Sequence, residues 1–238
     1  GAVVALAERL ELLLSIYAKG ERPTGSSDPY ALRRAGNGIL QILWDQGWSL
    51  NLQTLLKRAT SHWAGLLPAF KVDASALADE LGELLRQRLQ SLLEEAGTDA
   101  DLVQAVAGDG VSLTRVLADP GDARQRAVLL RTLRSAGDLA AVQAVVTRAA
   151  KLAKKGDLPT NVLSAQMVVD DNLFEKGSEA AMLEVLNGLE PIATGSDLDR
   201  YGQLAQGLIA GSSALANFFD GDDSVMVMAE DPAVRTNR

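Results

Sequence analysis

The sequence predicts an all-α protein, a helical bundle, and three observations support this prediction. Apolar residues make up 47% of the chain and aromatic residues only 4%, a composition typical of helical domains packed through Ala and Leu. Apolar residues recur at helical spacing, without sustained strand-like alternation. An Asp followed by Pro, a helix start signal, occurs at Asp28, Asp119 and Asp231.

The periodicity predicts helices over residues 2–19, 30–43, 50–63, 75–96, 102–107, 113–117, 120–136, 139–154, 164–174, 180–189 and 198–218. Pro191 should start a separate short segment, Asp197 should cap the helix from 198, and Pro232 should open a last helix. Gly36 and Gly38 lie inside a predicted helix, as do Gly202, Gly207 and Gly211 inside another. Because helical Gly lowers stability relative to Ala, we expect close neighbours at these positions.

The segment of residues 115–155 is basic in an acidic chain. It carries nine Lys and Arg against three Asp, a net charge of +6, whereas the whole chain carries −8. Such a segment favours an anionic partner. Its second helix should bury a stripe formed by Val142, Val145, Ala149 and Leu152. A neighbouring basic stripe consists of Arg148, Lys151 and Lys155.

Several classes of chemistry have no support in the sequence. With no Cys and one His, thiolate chemistry and His-cluster metal sites are excluded. No phosphate-binding Gly loop occurs, and the acidic loop at 220–224 has Val225 where a calcium loop needs Gly. We therefore expect no catalytic residue and no metal site. No apolar run reaches the roughly 20 residues that span a bilayer, so a cytoplasmic location is the expectation. Because the sequence opens directly on an uncapped helix without Met, we also expect a fragment of a longer protein.

Two separated motifs resemble the beta subunit of bacterial two-subunit glycyl-tRNA synthetase. The first is Asp-Pro-Tyr-Ala-Leu-Arg-Arg-Ala at 28–35, preceded by Pro-Thr-Gly-Ser at 23–26. The second comprises Phe-Phe-Asp at 218–220, Val-Met-Val-Met-Ala-Glu-Asp at 225–231 and Arg-Thr-Asn-Arg at 235–238. The resemblance covers essentially the whole chain, with weak matching in the middle.

The resemblance implies a domain organisation and a set of partners. Residues 1–66 would be the C-terminal end of a central HD-like helical domain, and residues 67–238 a DALR-type anticodon-binding domain that lacks its last helix. The family's alpha subunit carries the ATP- and Mg-dependent chemistry, so no cofactor is expected here. The implied partners are tRNA(Gly), the alpha subunit and, as a further candidate, a second beta subunit, with no membrane.

The resemblance and the charge pattern place tRNA binding in the same helix pair. The family's Asn-Lys-Arg-Val-x-Asn-Ile run corresponds to residues 146–152, where Arg148 and Leu152 match. Val146 and Lys151 replace the two amides, which favours phosphate contact over base readout. The predicted tRNA-binding residues are Arg124, Arg126, Arg131, Arg134, Arg148, Lys151, Lys154 and Lys155. If the two helices packed antiparallel through Val142, Val145 and Leu152, their basic faces could border one groove.

Two alternatives stay open at the level of sequence. The basic stripe could be an ordinary solvated helix face. The chain could also be an interaction module whose apolar grooves dock the alpha subunit or another beta subunit. Similarly, Arg33 and Arg34 could contact phosphate or pair with neighbouring acids.

Overall fold

The computed structural model describes residues 1–155, 164–165, 168–195, 197 and 199–238, and the all-α prediction is confirmed for them. They contain no β-strand, and the only strand-like pairing among them is an isolated bridge between Thr24 and Ser27. The chain divides into two compact units, Gly1–Ala127 and Val128–Arg238. The domain boundary predicted between residues 66 and 67 is a different one, because both of these residues lie in the first unit. That boundary stays a prediction.

The first unit is organised around one long helix, α4. Its elements are α1 (Ala2–Ala18), α2 (Leu32–Gln46), α3 (Leu52–Leu66), α4 (Ala74–Glu95), α5 (Ala100–Ala107), α6 (Leu113–Ala118) and the start of α7 (Pro120–Ala136). Helix α4 contacts α1, α2, α3, α5 and α6. Its Leu81, Leu85 and Leu89 are fully buried, which confirms the predicted apolar face. Asp73 caps the helix by accepting from the amides of Ser75 and Ala76.

Helix α2 begins two residues later than its start signal predicts. The carboxylate of Asp28 accepts from the amide of Leu32 at 2.8 Å and from that of Arg33 at 3.0 Å. Asp28 thus satisfies first-turn amides, as expected, but from four residues upstream. Ala31 joins the turn to the helix with a φ of 57°, a left-handed conformation that is uncommon for Ala. The prediction that this helix begins at residue 30 is therefore wrong, since it begins at Leu32.

Among its described residues, the second unit contains the end of α7 and four further α-helices, α8 (Leu139–Lys155), α9 (Gly177–Thr194), α10 (Arg200–Asp220) and α11 (Pro232–Asn237). Helix α10 contacts both α8 and α9. A Cβ at Gly207 would lie 2.6 Å from Leu189, and one at Gly211 would lie 2.5 Å from Val185. These two glycines confirm the predicted close approach, because they let α9 lie against α10.

Three local predictions in the second unit are wrong. Pro191 lies inside α9, where it removes one backbone hydrogen bond of the last turn while the helix packs along α10. Among the described residues of 164–174 the structure has a 3₁₀ turn at Asp171–Leu173 instead of a helix; residues 166 and 167 lie outside the described part. Asp197 accepts from the amide of Asp199 and caps a turn before α10 rather than the helix itself.

The apolar stripe of α8 packs against two different clusters. Val142 belongs to a cluster with Leu133 of α7 and Ala205 of α10. Val145, Ala149 and Leu152 pack instead against a second cluster formed by Phe218, Phe219 and Val225. The condition for a groove between α7 and α8, packing of the two helices through Val142, Val145 and Leu152, is therefore met only at Val142, since the end of α10 covers the C-terminal half of the stripe.

Candidate nucleic-acid interface

The eight predicted basic residues are divided between the two units. Arg124 and Arg126 lie in the first unit, and the other six lie in the second. Asp119 caps α7 by accepting from the amides of Gly121 and Asp122 at 2.8 and 3.2 Å. This cap fixes the start of the helix that carries the first four arginines.

Arg126 is held by an internal ion pair. Its Nε donates to the Asp122 carboxylate at 3.0 Å, and Arg115 approaches the same carboxylate at 3.6 Å. Only 18% of the Arg126 side chain is exposed. The position of Arg126 therefore suits stabilisation of α7 better than binding of an anion.

Arg124 lies over the ring of Trp44, with its guanidinium carbon 4.9 Å from the ring centroid. The Trp44 indole donates to the Pro120 carbonyl at 3.0 Å, which fixes the ring under the guanidinium. Arg124 is exposed and forms no ion pair with the residues that the structure describes. A guanidinium stacked in this way keeps its in-plane donors accessible. Trp44 was not predicted as part of the site, because 80 residues separate it from Arg124.

Arg131 and Arg134, near the end of α7, are both half-buried. Each already interacts with other parts of the chain. Neither is a free cation, so an anion would have to compete for them.

Arg148 fastens α8 to the end of α10. Its guanidinium forms an ion pair with Asp220, donates to the Phe219 carbonyl at 3.2 Å and lies 5.0 Å from the centroid of the Phe219 ring. Its side chain remains 45% exposed. Arg148, the residue of the basic stripe that matches the family motif, is thus already paired within the protein.

Lys151, Lys154 and Lys155, which we call the lysine patch, lie exposed in the last two turns of α8. Within the described part of the chain none of the three has a hydrogen bond or an ion pair. Positive charge at a helix C-terminus is favourable because the carbonyls there carry partial negative charge. The lysine patch therefore combines a stabilised position with ammonium groups that are available to an anion.

A shallow groove of about 430 Å³ runs beside the lysine patch. The described residues that line it are Ala140, Gln143, Ala144, Thr147, Arg148 and Lys151. All six belong to α8, so this groove differs from the one between α7 and α8 that the sequence suggested. Small side chains along the groove let a phosphate backbone approach the helix, and Lys151 supplies charge at its end.

No group of acidic or His side chains that could hold a metal ion occurs among the described residues. In the same residues, no helix combines the length and the apolarity that crossing a bilayer requires.

The comparisons with known proteins point in one direction. A family model described as glycyl-tRNA synthetase beta subunit matches residues 1–108. The chain is 45% identical to the glycine–tRNA ligase beta subunit of Acaryochloris marina and 42% identical to that of Picosynechococcus. It is 33% identical to that of Acidithiobacillus ferrooxidans. Each match covers the whole of this chain and 32–33% of the relative, so the chain spans about a third of the length of the curated relatives it matches.

Proposed function

Since the chain belongs to the glycyl-tRNA synthetase beta-subunit family, we propose that it is the tRNA-binding part of a glycine–tRNA ligase beta subunit. In this proposal the second unit contacts the anticodon arm of tRNA(Gly) and presents the tRNA to the catalytic alpha subunit. The alpha subunit would bind ATP and Mg and attach the glycine. The chain described here would contribute binding and positioning, and no catalytic residue.

The observation that carries this proposal is the lysine patch beside the groove of α8. Three ammonium groups without a described partner form a surface to which several consecutive phosphates can bind. Because phosphates are the same in every tRNA, these contacts would fix the position of the RNA and leave base recognition to other groups. Arg148, which the ion pair with Asp220 occupies, would shape this surface instead of binding RNA.

The proposal is tested in the complete ligase by replacing Lys151, Lys154 and Lys155 together with Gln. The matched control replaces Lys19, Lys57 and Lys176, which are also exposed, and removes the same charge. Equilibrium binding of tRNA(Gly) and of a non-cognate tRNA is measured across a salt series. We expect the lysine-patch variant to have a salt slope lower by about 0.7–0.9 for each phosphate that is no longer bound, and to bind both tRNAs more weakly by the same factor. A salt slope equal to that of the control would mean that the lysine patch is an ordinary solvated helix face.

A second candidate function is docking of another protein subunit. The segment around the end of α3 exposes 65% of Leu66, 42% of Leu67 and 45% of Phe70, which favours an apolar contact in the first unit. Such a contact would be insensitive to salt, unlike a phosphate contact. Replacing Leu66 and Phe70 with Ser should therefore weaken association of the alpha and beta subunits without changing the salt slope of tRNA binding.

A further inference from the structure

Two arginines of the first unit lie on helices that contact each other, and neither forms an ion pair with a carboxylate of the described residues. Arg33 lies in the first turn of α2, and Arg88 lies on α4. The stem of Arg88 passes over Gly36, where a Cβ would lie 2.9 Å from Arg88 Cγ. Gly36 thus leaves the room that lets Arg88 reach across α2 toward the turn that carries Arg33.

The electrostatic surroundings of Arg88 oppose its charge. Burial lowers the pKa of its guanidinium, the positive charge of Arg33 lowers it further, and Glu95 and Asp28 act in the opposite direction. The Asp28 carboxylate is already occupied by the amides of Leu32 and Arg33. Within the described residues, neither carboxylate forms an ion pair with either arginine.

One donor of Arg88 is also left without an acceptor. Its Nε is buried and has no hydrogen-bond partner among the described residues. A buried donor without an acceptor costs about 1–3 kcal/mol. Some arginines of the same unit have carboxylate partners, since Arg22 pairs with Glu80 and Arg126 with Asp122. Arg33 and Arg88 differ from these two arginines because neither forms an ion pair with a carboxylate of the described residues, and the charge of Arg33 opposes that of Arg88.

We propose that Arg33 and Arg88 form a second phosphate-binding site, which holds the sugar–phosphate backbone of the bound tRNA at the first unit. The proposal rests on the tRNA binding proposed above. Guanidinium groups bind phosphate oxygens through paired N–H donors, so the two arginines can each bind one non-bridging oxygen of a phosphodiester. Binding places a negative charge between the two like charges.

The test replaces Arg33 and Arg88 with Gln in the complete ligase. Gln keeps the part of the Arg88 stem that lies against Gly36. The matched control carries Arg34→Gln and Lys57→Gln, which remove the same charge from exposed positions, one of them next to Arg33. We expect the double variant to bind tRNA(Gly) about tenfold more weakly than the control and to lower the salt slope by about 0.7–0.9 for each phosphate that is no longer bound. Equal affinities and slopes for the two variants would overturn the proposal.

A charge-preserving variant separates a binding role from a structural one. Arg33→Lys with Arg88→Lys retains both charges but loses the paired donors, so the salt slope should stay while tRNA binding weakens severalfold. Melting of the RNA-free ligase should not fall in Arg33→Gln, because one of two like charges is removed. A lower melting temperature in Arg33→Gln, together with unchanged tRNA affinity in the Lys variant, would assign the pair to stability and overturn the proposal.

Further measurements distinguish the source of the phosphate and the class of partner. Calorimetry with pyrophosphate should give the same affinity for wild type and the Gln variant. If the Gln variant differed from wild type in its affinity for pyrophosphate but not for tRNA, the assignment to tRNA would be overturned. Dissociation of the alpha subunit from the Gln variant, with unchanged tRNA binding, would overturn it as well. The proposed function is tested separately by the lysine-patch variant. If that variant alone behaves like its control, only the assignment of the second unit fails.

Discussion

Replacing Arg148 with Ala should destabilise the second unit. The substitution removes the ion pair with Asp220, the hydrogen bond to the Phe219 carbonyl and the packing of the guanidinium on the Phe219 ring. All three interactions join α8 to the last turn of α10. Their removal should loosen the cover over Val145 and Leu152, which pack against Phe218 and Phe219.

The magnitude follows from the exposure of these groups. Arg148 is 45% exposed and Asp220 is 72% exposed, so water screens the ion pair and it contributes about 0.2–1 kcal/mol. The interaction with the ring contributes about 0.5–1 kcal/mol more at an exposed site. We therefore expect a decrease of about 1–2 kcal/mol in the free energy of unfolding, and a coupling of less than about 1 kcal/mol in a double-mutant cycle with Asp220→Ala.

The assay combines urea unfolding, followed by circular dichroism, with hydrogen exchange of peptides from α8 and from the end of α10. Lys151→Ala is the matched control, because Lys151 lies one turn further on α8 and has no partner among the described residues. Exchange should accelerate in both peptides in Arg148→Ala and stay unchanged in Lys151→Ala. If the two variants are equally stable and exchange alike, Arg148 does not fasten the two helices.

Two further predictions concern the second unit. Gly211→Ala should lower its stability by about 1–3 kcal/mol in urea unfolding, because the new Cβ meets Val185. Gly188→Ala, with nothing within 4 Å, should instead gain about 0.5–1 kcal/mol, and equal effects of the two would contradict the close packing of α9 and α10. Burial alone would raise the pKa of the Glu179 carboxyl, but hydrogen bonds from Arg238 and two backbone amides outweigh burial and hold it below its ordinary value. The stability that this carboxylate contributes is present above about pH 4.5 and is lost as the pH falls below that value. The difference in melting temperature between wild type and Glu179→Gln should therefore shrink in acid. A difference that stays constant with pH would contradict an ionised Glu179 paired with Arg238.

The sequence was most informative where structure depends on nearby residues. The caps by Asp73, Asp119 and Asp231 were predictable, because each carboxylate accepts from amides two or three residues further along the chain. The apolar face of α4 was predictable because its spacing repeats along the whole helix. At Asp28 the local signal indicated a cap but not its position, since the helix start also depends on the left-handed turn at Ala31. Pro191 was misleading because α9, which packs along α10, continues past it to Thr194.

The candidate site was predictable only in part. The exposure of the lysine patch agrees with its position on α8 away from the apolar stripe. The pairing of Arg148 with Asp220 was not predictable, because 72 residues separate the two and Asp220 reads as part of a solvated loop. The proximity of Arg33 and Arg88 likewise depends on how α2 and α4 pack, and the only local sign of it was the glycine at position 36.

The most direct test of the proposed function is photo-crosslinking from the lysine patch in the complete ligase. Lys154 is replaced with a benzophenone-bearing phenylalanine, tRNA(Gly) is bound, and the products of irradiation are separated and mapped. Because the side chain of Lys154 is exposed at the end of α8, the photoreactive group reaches whatever molecule binds there. The proposal predicts a crosslink to the anticodon arm of the tRNA. A crosslink to the alpha subunit or to a second beta subunit, with none to RNA, would contradict it.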